Sequence, residues 1–355
     1  MGLDSILYIF FLSIFFNYFL IKSYKFFFLK KISDTEFTKP QAFHKFPAIR
    51  SGGITILFFL LFFLIFYENK SDYYLSIIVL SVFFFIIGFL EDIKIHTKPE
   101  IRLLYLLFIS FLIIYYFNIH VLNTQIQFLN NIIFSNKFYS IIFVCFCLLF
   151  IINGCNFIDG FNGLLILHAI IILGILYFIN DHNSKNLYIQ NIILFFISIL
   201  ISILIFNFPK AKIFLGDSGA YITGIILSIT TIQISNLNPK ITPFFFACLL
   251  FYIFFEVIFS FFRKTFIERK SPLQPDRKHL HMLIFKYLNK GKGIINILKA
   301  NFLTSLIINT TYSIIILPTL FFYKQENFCK TYFFFLIIFY LLTYFFLEKK
   351  DFKKK

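Results

Sequence analysis

A chain of 355 residues in which 59% are hydrophobic and only 14% charged is not an ordinary soluble domain, because such domains carry roughly a quarter charged residues. Its net charge of +16 does not mark a nucleic-acid binder, since the Lys and Arg residues sit between apolar runs, where they meet anionic lipid headgroups. The five cysteines, Cys145, Cys147, Cys155, Cys248 and Cys329, show no zinc or disulfide spacing and read as small buried hydrophobes.

Eleven apolar segments read as membrane-spanning helices, at 3–21, 52–67, 74–90, 101–117, 139–153, 164–180, 188–206, 218–234, 242–262, 302–322 and 331–347. No small-residue cleavage site follows the first, so it reads as a retained span rather than a signal peptide. An odd number of spans places 22–51, 91–100, 154–163, 207–217, 263–301 and the tail from 348 on one side. With Arg102 counted beside its loop, that side holds all but six of the 33 Lys and Arg residues. The six are Lys70, Lys137, Lys185, Lys240, Lys324 and Lys330. Positive charge of that asymmetry makes the first side cytoplasmic, together with the Lys-rich C-terminus. The expected fold is thus an all-α polytopic membrane protein of about 11 transmembrane helices, one domain over 1–355. Its active site is formed by cytoplasmic loops, of which 263–301 is the long one.

Five polar clusters follow one another on that side. In HKFPAIRSGG (44–53), His44 and Arg50 are placed to face a phosphate, although the segment by itself reads as a linker. In GFLEDIKIHTKPE (88–100), Glu91 and Asp92 end an apolar helix side by side. Neighbouring carboxylates repel unless a cation or base compensates, so this pair suits Mg²⁺ or general-base chemistry. In INGCNFIDGFNGL (152–164), Asn153, Asn156, Asp159 and Asn162 recur every third residue and offer oxygens to a ligand. In NFPKAKIFLGDSGAYITG (207–224), Asn207 opens the loop and Asp217 lies at a helix start that favours anions, with Phe214 placed to stack on a base. In RKSPLQPDRKHLHMLIF (269–285), Arg277, His279 and His281 supply donors for phosphate oxygens near Asp276. The His-x-His also suits zinc, but the acidic residues elsewhere favour a hard cation.

The motifs NFIDGFNGL, GDSGAY and PDRKHLH resemble those of the polyprenyl-phosphate sugar-1-phosphate transferases. That family includes the bacterial GlcNAc-1-phosphate transferases and the MurNAc-pentapeptide phosphotransferases, within glycosyltransferase family 4. The resemblance runs from about residue 34 to 285. It implies attack by undecaprenyl or another polyprenyl phosphate on a UDP-N-acetylaminosugar, releasing UMP and starting a cell-envelope polysaccharide such as the O-antigen of lipopolysaccharide. It further implies Mg²⁺, with Mn²⁺ as a substitute, held by Asp217 with Asn156. Asp92, Glu91 and Asp159 are then the catalytic acids. Phe214 stacks on uracil, Asn162 reads its edge, and Arg277, His279, His281, Asn207 and His44 bind the rest of the substrate. The expected surroundings are membrane lipids of a bacterial cytoplasmic (inner) membrane, with room for a homodimer and no nucleic acid.

Three departures stand out. Glu91 replaces the usual Asp, Asn162 stands where many bacterial members have Asp, and Met282 stands where many have a third His. The rival readings are a MurNAc-pentapeptide phosphotransferase and, in another class, a transporter of nucleotide sugars or lipid phosphates. A transporter would carry polar residues at mid-membrane, whereas here they gather at one face.

Overall fold

A computed structural model describes residues 3–23, 32–34, 47–66, 71–274, 276–289 and 294–352. Helices account for nearly all of them, in the order α1 (Leu3–Lys22), α2 (Gly52–Phe66), α3 (Asp72–Asp92), α4 (Pro99–Tyr116), α5 (Gln127–Ser135), α6 (Lys137–Ile158), α7 (Leu164–Asn183) and α8 (Leu187–Asn207). There follow α9 (Gly216–Leu237), α10 (Pro243–Leu249), α11 (Phe251–Phe262), α12 (Leu280–Leu288), α13 (Ile294–Phe321) and α14 (Glu326–Phe352). Among the described residues nine helices are long and apolar enough to cross a bilayer, and α10 with α11 makes a tenth, broken span. The protein is a multi-pass membrane protein.

The expected spans all have counterparts, with three corrections. Among the described residues, the segment expected at 52–67 is the 15-residue helix α2, about 22 Å of helix against a hydrocarbon core of about 30 Å. The span expected at 242–262 is bent by 76° between α10 and α11, and a π-helical turn, Arg263–Ile267, extends it inward. The stretch expected as a long loop, 263–301, contains α12 and the first turns of α13.

Several helices whose N-termini lie away from the polar clusters start on local caps. The side chains of Ser71, Asn136, Asn186 and Thr242 each accept a hydrogen bond from the first turn of α3, α6, α8 and α10. Those Asn, Ser and Thr residues therefore satisfy orphan backbone donors. Helix α9 is the hub: 72% of its apolar window is buried, against 22% for α1, α4 and α14. Small residues on α9 let its neighbours approach closely, as in other membrane bundles. A Cβ on Gly88 of α3 would stand 2.6 Å from the Cα of Ser218 on α9.

Three short strands, which no pattern in the sequence announces, join this helical frame. Strand β1 (Ser33–Asp34) pairs antiparallel with β2 (Ala48–Arg50), which pairs parallel with β3 (Ile213–Phe214). Within the segment expected as a linker, Ala48–Arg50 is thus a strand that sets Arg50 opposite Phe214 in register.

Candidate functional site

Helix α9 begins without a side-chain cap of its own. Asp92, at the end of α3, caps it from outside: one carboxylate oxygen accepts from the Asp217 N–H at 2.9 Å, and the other from the Ser218 N–H at 3.1 Å and the Ser218 hydroxyl at 2.6 Å. The positive end of the helix dipole favours that carboxylate, and Arg50 Nη1 lies 3.6 Å from it. Gly216 makes the arrangement possible. Its φ is +74°, and any Cβ there would meet the Asp92 carboxylate oxygens at 2.6 and 2.7 Å. Asp92 is only 1% exposed, so it braces the start of α9 instead of facing solvent.

Glu91 does not act as its twin. Successive helical residues point about 100° apart, and the Glu91 carboxylate turns to the following loop. It accepts from the Thr97 N–H and hydroxyl, both at 2.9 Å, and lies 3.0 Å from His96 Nδ1. The expected acidic pair is therefore two carboxylates with separate partners. Arg102, on the first turns of α4, stands 3.6 Å from Glu91 and 3.9 Å from Asp217.

These groups open on a cleft of about 610 Å³ lined by segments from all five clusters. Asn156, Asp159, Phe214, Asp217, Glu91 and His279 line it, as do Arg50, Asn153, Arg102 and Lys264. Leu103 and Leu106 give one wall apolar character. Burial pushes the Asp159 carboxyl well above the ordinary range, and Asp217 and Asp92 add to the shift against Arg50. Among the described residues no three His, Cys, Asp or Glu side chains form a ready-made metal cage. The donors are nonetheless hard oxygens, and Mg²⁺ commonly takes only one or two carboxylates beside substrate phosphates.

Other expected residues lie elsewhere. Asn162 is 2% exposed; its N–H donates to Asn301 and its side-chain amide to the Pro209 carbonyl. Asn207, 3% exposed, accepts from the Gly163 N–H and donates to the Ile213 carbonyl. Together they staple the loop of Asp159 to the loop of Phe214, and neither lines the cleft. Arg277 is exposed and also outside the lining. His281 is fully buried, and that burial pushes its ring down to about 3, leaving it uncharged at neutral pH. His44 lies outside the described residues.

The loop 268–279 is held by charge. Arg263 pairs with Glu268 and Asp276, and Lys278 with Glu268 and Glu348. Burial pushes Asp276 up, but His279 and Arg263 overcome it and hold the carboxyl down to about 2. Lys264 donates to the carbonyls of Pro272 and Gln274.

Residues 74–235, which carry the acidic, Asn-rich and GDSG segments of this cleft, match the family model described as Glycosyl transferase family 4. Over those residues, the chain is similar to glycosyl transferase family 4.

Proteins similar to this chain include the undecaprenyl-phosphate alpha-N-acetylglucosaminyl 1-phosphate transferase of Thermotoga maritima, 30% identical over 163 residues, 46% of this chain and 49% of that one. The phospho-N-acetylmuramoyl-pentapeptide-transferase of Dictyoglomus turgidum is 27% identical over 199 residues, 54% and 64% of the two chains. The decaprenyl-phosphate N-acetylglucosaminephosphotransferase of Mycobacterium tuberculosis is 25% identical over 167 residues, 42% and 41%. The matches thus span between 41% and 64% of these relatives' lengths.

Sequence reasoning passed over Arg102, Lys264 and Glu256 as site residues. Arg102 had a signal: a cation in the first turn of a helix opposes its dipole, so a compensating acid is expected nearby. Glu256 had another, an acid alone within an apolar span. Lys264 was indistinguishable from any basic residue at a membrane boundary.

Proposed function

We propose that this chain transfers N-acetylglucosamine-1-phosphate from UDP-N-acetylglucosamine to a polyprenyl phosphate, giving a polyprenyl-diphospho-sugar and UMP. The reaction takes place at the cytoplasmic face of a bacterial inner membrane and starts a cell-envelope polysaccharide. The observation that carries this reading is the cleft itself: inward carboxylates at Asp217 and Asp159, cations at Arg50, Arg102 and Lys264, and an apolar wall. That mixture suits a diphosphate beside a lipid tail. The name of the Thermotoga maritima relative supports the sugar.

Asp217, with Asn156, would hold Mg²⁺, and Asp159 adds a carboxyl oxygen beside them. When bound, the cation neutralises diphosphate charge and polarises the reacting phosphorus. The chain's own residues do the rest. Arg102 and Lys264 set positive charge along the cleft, and Phe214 offers a ring face for the base. Asp92 keeps the Asp217 N–H and the start of α9 in place. Phosphoryl transfer needs this positioning and charge stabilisation more than covalent participation by the protein.

A second donor, UDP-MurNAc-pentapeptide, is favoured by the longer match to the Dictyoglomus turgidum relative. Purified protein with polyprenyl phosphate and Mg²⁺, offered UDP-GlcNAc, UDP-GalNAc and UDP-MurNAc-pentapeptide in parallel, separates these readings by UMP release. Release only with the pentapeptide donor transfers the assignment. Release with none refutes the transferase.

A further inference from the structure

Glu256 is the one acidic residue in the apolar run 243–262, and it is 1% exposed on α11. A carboxylate buried in a membrane bundle costs several kcal/mol unless strongly paired. Its two oxygens have distinct partners. Oε2 lies 3.0 Å from His279 Nδ1, and Oε1 accepts from the Leu280 N–H at 3.1 Å. His279 immediately precedes α12, so one carboxylate fixes both an imidazole and the first N–H of that helix. Phe157 packs on the same ring, centroids 5.0 Å apart. His281 stacks parallel to it at 5.4 Å and 3°, with its own Nδ1 3.3 Å from the Tyr252 hydroxyl. His279 thus has packing on its faces and a carboxylate on one edge, while it also lines the cleft.

We propose that Glu256 is a positioning residue that locks His279 through Nδ1 and turns Nε2 to the cleft, against a phosphate oxygen of the sugar donor. An ionised carboxylate only accepts, so the shared proton belongs to Nδ1. Carboxylate–imidazole pairs elsewhere set tautomer and ring orientation in this way. A ring carrying both protons donates from Nε2 to the phosphate while Glu256 balances its charge. The inference rests on the transferase reading and assigns that reading a residue outside the cleft lining.

A double-mutant cycle tests it with Glu256→Gln, His279→Ala and the double variant. The measurements are UMP release, UMP binding and thermal melting in detergent. Gln retains one acceptor for two donors, so kcat should fall about 10- to 100-fold, with the KM for polyprenyl phosphate unchanged. The double variant should be no slower than His279→Ala, because Glu256 acts only through that ring. Glu256→Asp keeps the charge and should recover part of kcat; it carries the cycle if Glu256→Gln does not accumulate folded. Equal losses from Glu256→Gln with and without His279, or lower melting with unchanged kcat, would overturn the proposal. Should the wild type release no UMP from any donor, the transferase reading fails by itself. The pair is then read from the ¹⁵N signals of His279 and from UMP affinity. A changed protonation pattern and weaker binding in Glu256→Gln would support positioning, and unchanged values would refute it.

Discussion

At the residue scale, Asp217 and Arg102 carry the clearest consequences. Asp217 lines the cleft at the start of α9, with its N–H already engaged by Asp92, so its side chain is the part left for chemistry. Asp217→Asn replaces a charged oxygen ligand by a neutral amide and should reduce turnover by at least about 100-fold. Mg²⁺ titration of UMP release is the check; wild-type rates at limiting Mg²⁺ would remove Asp217 from the metal site. Arg102 bridges Glu91 and Asp217 at 3.6 and 3.9 Å, both within a partly exposed setting. Such a pair contributes little to stability after solvent screening. Arg102→Gln should therefore leave the melting midpoint almost unchanged and raise the KM for the UDP-sugar about tenfold, the effect of removing one charge-assisted hydrogen bond. A variant that melts early with a normal KM would make Arg102 a structural brace instead.

At the element scale, the site depends on how closely α3 approaches α9. That approach is set at Gly88, where a Cβ would lie 2.6 Å from both the N and the Cα of Ser218. Carbon atoms pack at about 3.5–4.0 Å, so Gly88→Ala must push the helices apart by about 1 Å. Overpacking of this kind costs about 1–3 kcal/mol. The same movement carries the Asp92 carboxylate away from the N–H groups of Asp217 and Ser218. Lower thermal stability and loss of UMP release should thus appear together. Normal melting with normal turnover would show that the helices accommodate a methyl group and that their close approach does not set the site.

At the scale of the whole molecule, the polar clusters meet because alternate helices return the chain to one end of the bundle. Cysteine labelling in a background lacking the five native cysteines tests which side that end faces. Lys270→Cys should react only after the membrane is permeabilised, and His182→Cys, in the last turn of α7 at its far end, should react from outside. The reverse pattern would invert the topology.

The sequence by itself determined the apolar spans, the one-sided charge and the polar segments that meet at the cleft. Each of these is written in local composition: a bilayer demands about 20 apolar residues, and NFIDGFNGL and GDSGAY are continuous in the chain. Tertiary structure alone decided which polar side chains of those segments face inward. Asn162 and Asn207 look like ligand groups in sequence, yet the Pro209 carbonyl, the Gly163 N–H and the Ile213 carbonyl engage their side chains, and Asn301 accepts from the Asn162 N–H. Glu91 and Asp92 are adjacent in sequence but one helical step sends them to different partners. His279 and His281 divide in the same way, one lining the cleft and the other sealed behind it. A polar group's role depends on whether its hydrogen-bonding capacity is already satisfied, and for these residues the satisfying partners stand as many as 139 positions away in the chain.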